Sequence, residues 1–101
     1  MASSKEYLAF VLDQLSAVSG VSYRPMMGEY ILYCQGKIVG GIYDNRLLVK
    51  VTPSSRMLLP DAPLETPYKG AKAMLLVEEI DNRDLLQKLL SAMADEFAMR
   101  E

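Results

Sequence analysis

Side chains able to do chemistry are scarce in this chain. Cys34 is the one thiol, Met26 and Met27 are adjacent soft sulfurs, Arg24 and Lys50 are cations bracketing a run of tyrosines, and Gly40-Gly41 is a glycine pair. No histidine occurs among the 101 residues. That absence removes the usual general base near neutral pH and the commonest metal ligand. Serine-histidine triads, imidazole-ligated zinc and histidine-activated thiols are therefore excluded. The 13 carboxylates form no ligand-spaced cluster in any segment. No metal or cofactor is expected, and the chain is not expected to be an enzyme.

Each remaining signal also has a plainer account. Cys34 has Lys37 as its best cationic neighbour across a predicted turn, which suits a redox thiol, but a small apolar filler fits better. Met26 and Met27 lack a Cys or His beside them, so core plasticity is preferred to a soft-metal site. Gly40-Gly41 sits mid-strand and precedes no helix, unlike a phosphate loop. Close backbone approach, or room for a facing bulky side chain, explains it better. Arg24 and Lys50 suit an acidic partner or a phosphate. A structural contact is the plainer role, with Arg24 holding the first strand to the sheet.

The elements that must position these residues follow from periodicity. Leu8, Val11, Leu12, Leu15 and Val18 fall at helical spacing over Ser4 to Val18, with Ser3 or Ser4 as cap and Gly20 as stop. Val21 to Met26 reads as a weak strand that Pro25 consigns to an edge. Glu29 to Cys34, Lys37 to Tyr43 and Arg46 to Val51 are strands joined by Gln35-Gly36 and Asp44-Asn45 turns. If both turns are two-residue loops, one face carries Ile31, Tyr33, Ile38, Gly40, Ile42, Leu47, Val49 and Val51, with Glu29 at one end. The other carries Tyr30, Leu32, Cys34, Val39, Gly41, Tyr43, Arg46, Leu48 and Lys50. The first is expected to meet the helices. The second is too apolar for an ordinary solvated sheet face, so something should cover it.

Thr52 and Pro53 open a short helix through about Leu59, and Pro60 ends it. Asp61 to Gly70 reads as an ordered loop around Tyr68, and Ala73 to Glu78 as a final strand. Asp81 is the expected cap of the last helix, with Asp84 three residues later. Its buried stripe is Leu86, Leu89, Leu90, Met93 and Phe97. The whole is an α+β domain over residues 1–101, one antiparallel sheet of about five strands flanked by N- and C-terminal helices.

Bulk properties agree with one small globular domain. The net charge of −2 offers no general attraction to nucleic acid or anionic membrane. Seven basic residues lie between Val21 and Lys72 against four acidic ones, whereas seven carboxylates from Glu78 onward face Arg83, Lys88 and Arg100. The sheet is thus mildly basic and the last helix acidic. One cysteine, no bilayer-length apolar run and no signal-like N-terminus point to a reducing, cytoplasmic setting.

The order Arg24-Pro25-Met26-Met27-Gly28, then Tyr33-x-x-Gly36-Lys37, then Leu48-Val49-Lys50 resembles the TfoX/Sxy N-terminal domain family. That family shows an Arg-x-Met-aromatic-Gly start, a tyrosine before a glycine turn, and a lysine closing the following strand. Met27 stands where an aromatic is more usual. Pro67-Tyr68-Lys69-Gly70-Ala71-Lys72 and the strand after it look like the family's second signature. The resemblance covers nearly the whole chain. It implies an α-β-β-β-α-β-β-α fold related to secretion-chaperone-like folds. It also implies an accessory role in competence, since named members work with the cyclic-AMP receptor protein at certain promoters. Those members carry a second, C-terminal domain; this sequence is expected to be a single-domain relative without it.

The leading expectation is a non-enzymatic protein-interaction module, an accessory regulator of transcription or competence with a protein partner. Its interaction residues are expected to be Arg24, Tyr30, Leu32, Val39, Tyr43, Arg46, Leu48 and Lys50. A homodimer is expected through the mixed face centred on Leu32, Val39, Tyr43 and Leu48. The alternative is a small-molecule or anion-binding domain using Arg24, Tyr30, Tyr43 and Lys50. Direct nucleic-acid binding ranks last, given the acidic total and the dispersed basic residues.

Overall fold

Three tight turns set the architecture. Met27-Gly28, Gln35-Gly36 and Asp44-Asn45 all hold both residues at positive φ, between 51° and 87°. Such two-residue loops match the right-handed twist of the strands they join. In the computed structural model, which describes residues 2–99, they fold the chain into a meander of β1 (Val21–Met26), β2 (Glu29–Cys34), β3 (Lys37–Ile42) and β4 (Leu47–Val49). Around it lie α1 (Lys5–Gln14), α2 (Pro53–Leu58), β5 (Leu64–Glu65), β6 (Met74–Leu76) and α3 (Arg83–Met99). The six strands form one sheet in the order β1-β2-β3-β4-β6-β5, antiparallel throughout. This is the expected α+β fold with helices at both ends. The short β5 lies within the stretch read as a loop. Pro25 sits on edge strand β1, where a missing donor is tolerated.

Local chemistry explains the helix ends. The Ser4 hydroxyl accepts from the Tyr7 amide at 3.1 Å and caps α1. That helix stops at Gln14, one turn earlier than its apolar spacing suggests, and an irregular turn leads to Gly20. Thr52 and Ser55 form a reciprocal capping box on α2, with Pro53 at its start. The cap of α3 is Asn82 rather than Asp81: its side-chain oxygen accepts from the Leu85 amide at 3.1 Å. A backbone bond from the Asn82 amide to the Glu79 carbonyl (3.0 Å) and a side-chain bond from Gln14 Nε2 to the Ile80 carbonyl (3.0 Å) place the turn so that Asn82 occupies the capping position. Asp84 remains in the first turn, where its charge suits the dipole.

The core lies between the sheet and all three helices. Leu8, Val11 and Leu15 from the α1 segment and Leu86, Leu89, Leu90, Met93 and Ala94 of α3 pack with Leu59 after α2 against Leu32, Cys34, Val39, Ile42, Leu47, Val49, Leu75 and Val77. Each fully buried leucine contributes roughly 1.5–3 kcal/mol relative to exposure.

The expected face assignment holds for only part of the sheet. Asp44-Asn45 gives the expected pairing of β3 with β4, so Ile42, Leu47 and Val49 do meet the helices. In the preceding hairpin, Tyr33 pairs with Ile38 but Leu32 pairs with Gly40, leaving Val39 as the extra residue of a bulge. The bulge reverses the alternation of β2 relative to β3. Leu32, Cys34 and Tyr30 therefore turn to the helices, and Ile31 and Tyr33 turn outward. Leu32 and Val39 are core residues, not centres of an open face, and Ile38 is 40% exposed rather than core.

Candidate functional site

Gly41 makes a notch in the outer face of the sheet. A Cβ there would lie 2.5 Å from the Tyr43 ring and 2.7 Å from the Tyr30 carbonyl oxygen, so only glycine lets Tyr43 fold back over its own strand. Leu48 pairs with Gly41 and shares that face. It is completely buried, yet outside the helix-side core. Tyr68, from the loop between β5 and β6, approaches Tyr43 with ring centroids 6.3 Å apart and planes tilted by 55°. The chain thus covers part of its own outer face with this tyrosine pair.

A cleft opens on each side of the pair. One, of about 720 Å³, is lined by Ala2, Met26, Met27, Glu29, Tyr43, Asp44, Arg46, Pro67 and Tyr68. The other, of about 500 Å³, includes Ile38, Lys50, Val51, Lys72 and Met74 beside the same two tyrosines. Both volumes fall in the range of small-molecule sites.

Glu29 organises the first cleft. Its carboxylate accepts from the Ser3 amide at 2.8 Å, the Ser3 hydroxyl at 2.5 Å and the Asp44 amide at 2.9 Å. The Ser3 hydroxyl in turn accepts from the Asn45 amide at 3.0 Å, and the Asn45 side-chain oxygen from the Ser4 amide at 2.9 Å. One carboxylate thereby ties the N-terminal segment, β2 and the β3–β4 turn together. Arg46 is engaged already: its Nε donates to the Tyr43 carbonyl at 3.1 Å, and it forms an ion pair with Glu65. Burial pushes the Tyr43 phenol above its ordinary pKa, and Tyr68 and Glu29 push it further, so the ring stays neutral across the physiological range.

The eight residues expected to interact do not form one patch. Arg24 lies over the Tyr33 ring, 5.9 Å from its centroid, on the edge strand. Tyr30 is on the helix side, edge-to-face with Tyr23 at 5.8 Å, beside the α1 residues Leu8 and Leu12. Leu32 and Val39 are in the core. Tyr43, Arg46 and Leu48 do gather on the outer face around the notch. Lys50 lies 5.9 Å from the Phe97 ring centroid while also lining the second cleft. Of the proposed anion set, only Tyr43 and Lys50 share a cleft.

Tyr68, Glu29 and Ser3 were not among the expected site residues. Tyr68 stands in the second motif, Pro67-Tyr68-Lys69-Gly70, and that was its one sequence signal. Glu29 was visible only as the lone charge on an apolar face. Cys34 is fully buried, with its thiol 3.7 Å from the Ser19 carbonyl oxygen. Burial, and then the charge of Asp95, raise its pKa, which suits a filler rather than a reactive thiol. Among the described residues no group of three or more Cys, Asp or Glu side chains is placed to hold a metal ion. Nor is any helix there long and apolar enough to cross a membrane.

The model of the TfoX N-terminal domain family matches residues 13–94. That span contains the whole sheet, both tyrosines of the pair and most of α3. The chain is similar to the uncharacterized 12.7 kDa protein in the trpE 5′ region of Spirochaeta aurantia, with 38% identity over 80 residues, covering 79% of this chain and 70% of that protein. No solved structure matches the chain.

Proposed function

This chain belongs to the TfoX N-terminal domain family, and we propose that it works as a non-enzymatic protein-interaction module. The observation that carries this reading is the outer face of the sheet. All three helices pack on the other side, leaving Ile31, Tyr33, Ile38, Met74 and Leu76 only partly covered. A solvated antiparallel face normally alternates to polar residues; this one keeps an apolar band across β2, β3 and β6. The occupant we assign to it is a second copy of the chain. The histidine-free composition and the buried thiol support a role without covalent chemistry. In this reading the protein is cytoplasmic and acts as an accessory regulator of transcription or competence through protein contacts.

Ile38→Asp tests the surface, because Ile38 is exposed enough to accept a charge without unfolding the domain. Sedimentation velocity at micromolar concentration should show a dimer for the wild type and a monomer of unchanged melting temperature for the variant. A wild type that stays monomeric as its concentration is raised contradicts the assignment.

A second reading, anion binding, draws on Lys50 and Lys72 lining the second cleft beside Tyr43 and Tyr68. Titration with inorganic phosphate, followed by the amide shifts of Lys50 and Lys72, tests it. The absence of a saturable shift removes it.

A further inference from the structure

We propose that the cleft bounded by Tyr43, Tyr68, Glu29 and Asp44 binds a small organic ammonium, a quaternary or alkylated amine with an apolar body. The site lies on the far side of the tyrosine pair from Ile38 and Met74 of the open band.

The ring geometry is the first argument. A cation is attracted to an aromatic face when it lies within about 6 Å of the ring centroid. The two centroids are 6.3 Å apart and the planes are inclined at 55°, so one cation can satisfy both distances from the cleft side. Tyr43 is held in place by the Gly41 notch and is almost fully buried, whereas Tyr68 is 58% exposed and forms the outer wall. Two partly perpendicular rings make half of an aromatic cage.

Charge supplies the second argument. Three bonds to Ser3 and Asp44 fix the Glu29 carboxylate and leave it acceptor capacity, since a carboxylate offers about four lone-pair sites. The Asp44 carboxylate is exposed and has no hydrogen-bond or ion-pair partner among the described residues. Among the described residues the one cation in the wall, Arg46, is already paired with Glu65 and with the Tyr43 carbonyl. Among the described residues an anion would meet two carboxylates and no uncommitted cation. An ammonium meets two carboxylates and two tyrosine rings.

The remaining wall suits methyl or alkyl substituents. Met26 and Pro67 line the cleft, and Met27 stands 98% exposed at its rim. Thioethers are polarisable and adapt to the shape of a ligand. A strongly hydrated ammonium with no apolar body would leave that surface unused.

The test uses choline and benzyltrimethylammonium as probes and dimethylbutanol, the neutral isostere of choline, as control. Proton–nitrogen correlation spectra of the full chain should show saturable shifts for at least one cation, confined to residues around Tyr43, Asp44 and Tyr68. The isostere should bind at least about fivefold more weakly, because it lacks the cation–π and carboxylate terms. Tyr68→Ala and Asp44→Asn, both at exposed positions, should keep a wild-type spectrum elsewhere and weaken the cation at least about threefold each. The proposal is overturned if neither cation saturates, if the isostere binds as well, or if Tyr68→Ala leaves the affinity unchanged.

Discussion

Met27 holds a left-handed backbone, φ 51°, with its side chain in solvent. For a residue other than Gly, Asn or Asp, that conformation costs roughly 1–2 kcal/mol. Nothing in the packing repays the cost. Met27→Asn should therefore raise stability by about 0.5–1 kcal/mol, seen as a higher urea midpoint with an unchanged slope. Gly41→Ala should do the opposite. Its new methyl would collide with the Tyr43 ring, which can move, and with the Tyr30 carbonyl, which cannot. A loss of about 1–3 kcal/mol is expected, together with a change in tyrosine fluorescence. The glycine pair was legible in the sequence as room for a bulky side chain. Which side chain fills it was not, because Tyr43 reaches back along its own strand.

Three groups at this scale set the alkaline limit. Burial raises the pKa of Cys34, Tyr43 and Tyr7 in the fold. A group whose pKa is raised on folding contributes stability that is complete below its unfolded value, about 8.5 for a thiol and about 10 for a phenol. That stability is lost as pH rises through the folded value, where the unfolded chain has already released its proton. Urea midpoints should hold steady near neutral pH and fall above about pH 8.5. In Cys34→Ala the first part of that fall should disappear. An identical profile for the variant would mean that the thiol is not the group responsible.

At the scale of elements, the turns and caps carried most of the legible information. Gln35-Gly36 and Asp44-Asn45, at positions needing positive φ, placed the β2–β3 and β3–β4 turns, and Thr52-Pro53 placed the start of α2. Bulges leave no such mark. The extra residue at Val39 is another β-branched apolar side chain in an apolar run, so strict alternation carried through it and put Leu32 on the wrong face. Asp81 and Asn82 are nearly equivalent caps chemically, and the turn bond from Asn82 to Glu79 and the tertiary bond from Gln14 to Ile80 separate them. Ser55 offers a test of element-level chemistry. Its buried hydroxyl donates to the Lys50 carbonyl at 2.7 Å and accepts from the Thr52 amide at 2.9 Å. Ser55→Ala leaves both groups without that partner and should cost about 1–3 kcal/mol, measured by denaturant unfolding.

For the whole molecule, the fold depends on one layer of helices against one face of the sheet, and the proposed function depends on the other face. Leu48, named in the sequence as a surface anchor, is buried beneath the tyrosine notch. Leu48→Asp should therefore unfold the domain rather than merely dissociate it, which is why Ile38 is the informative position. The basic side chains are dispersed: Arg24 over Tyr33, Arg46 on Glu65 and Lys50 over Phe97. No saturable binding to duplex DNA is expected at physiological salt, as fluorescence anisotropy would show.

The central claim, that the open apolar band is a contact surface between copies, is tested most directly by amide hydrogen exchange at two protein concentrations. Backbone amides of Ile31, Tyr33, Ile38 and Leu76 should become more protected as concentration rises, while those of α1 and α3 stay the same. Exchange that is independent of concentration across the band, or protection that grows on the helical side instead, contradicts the account.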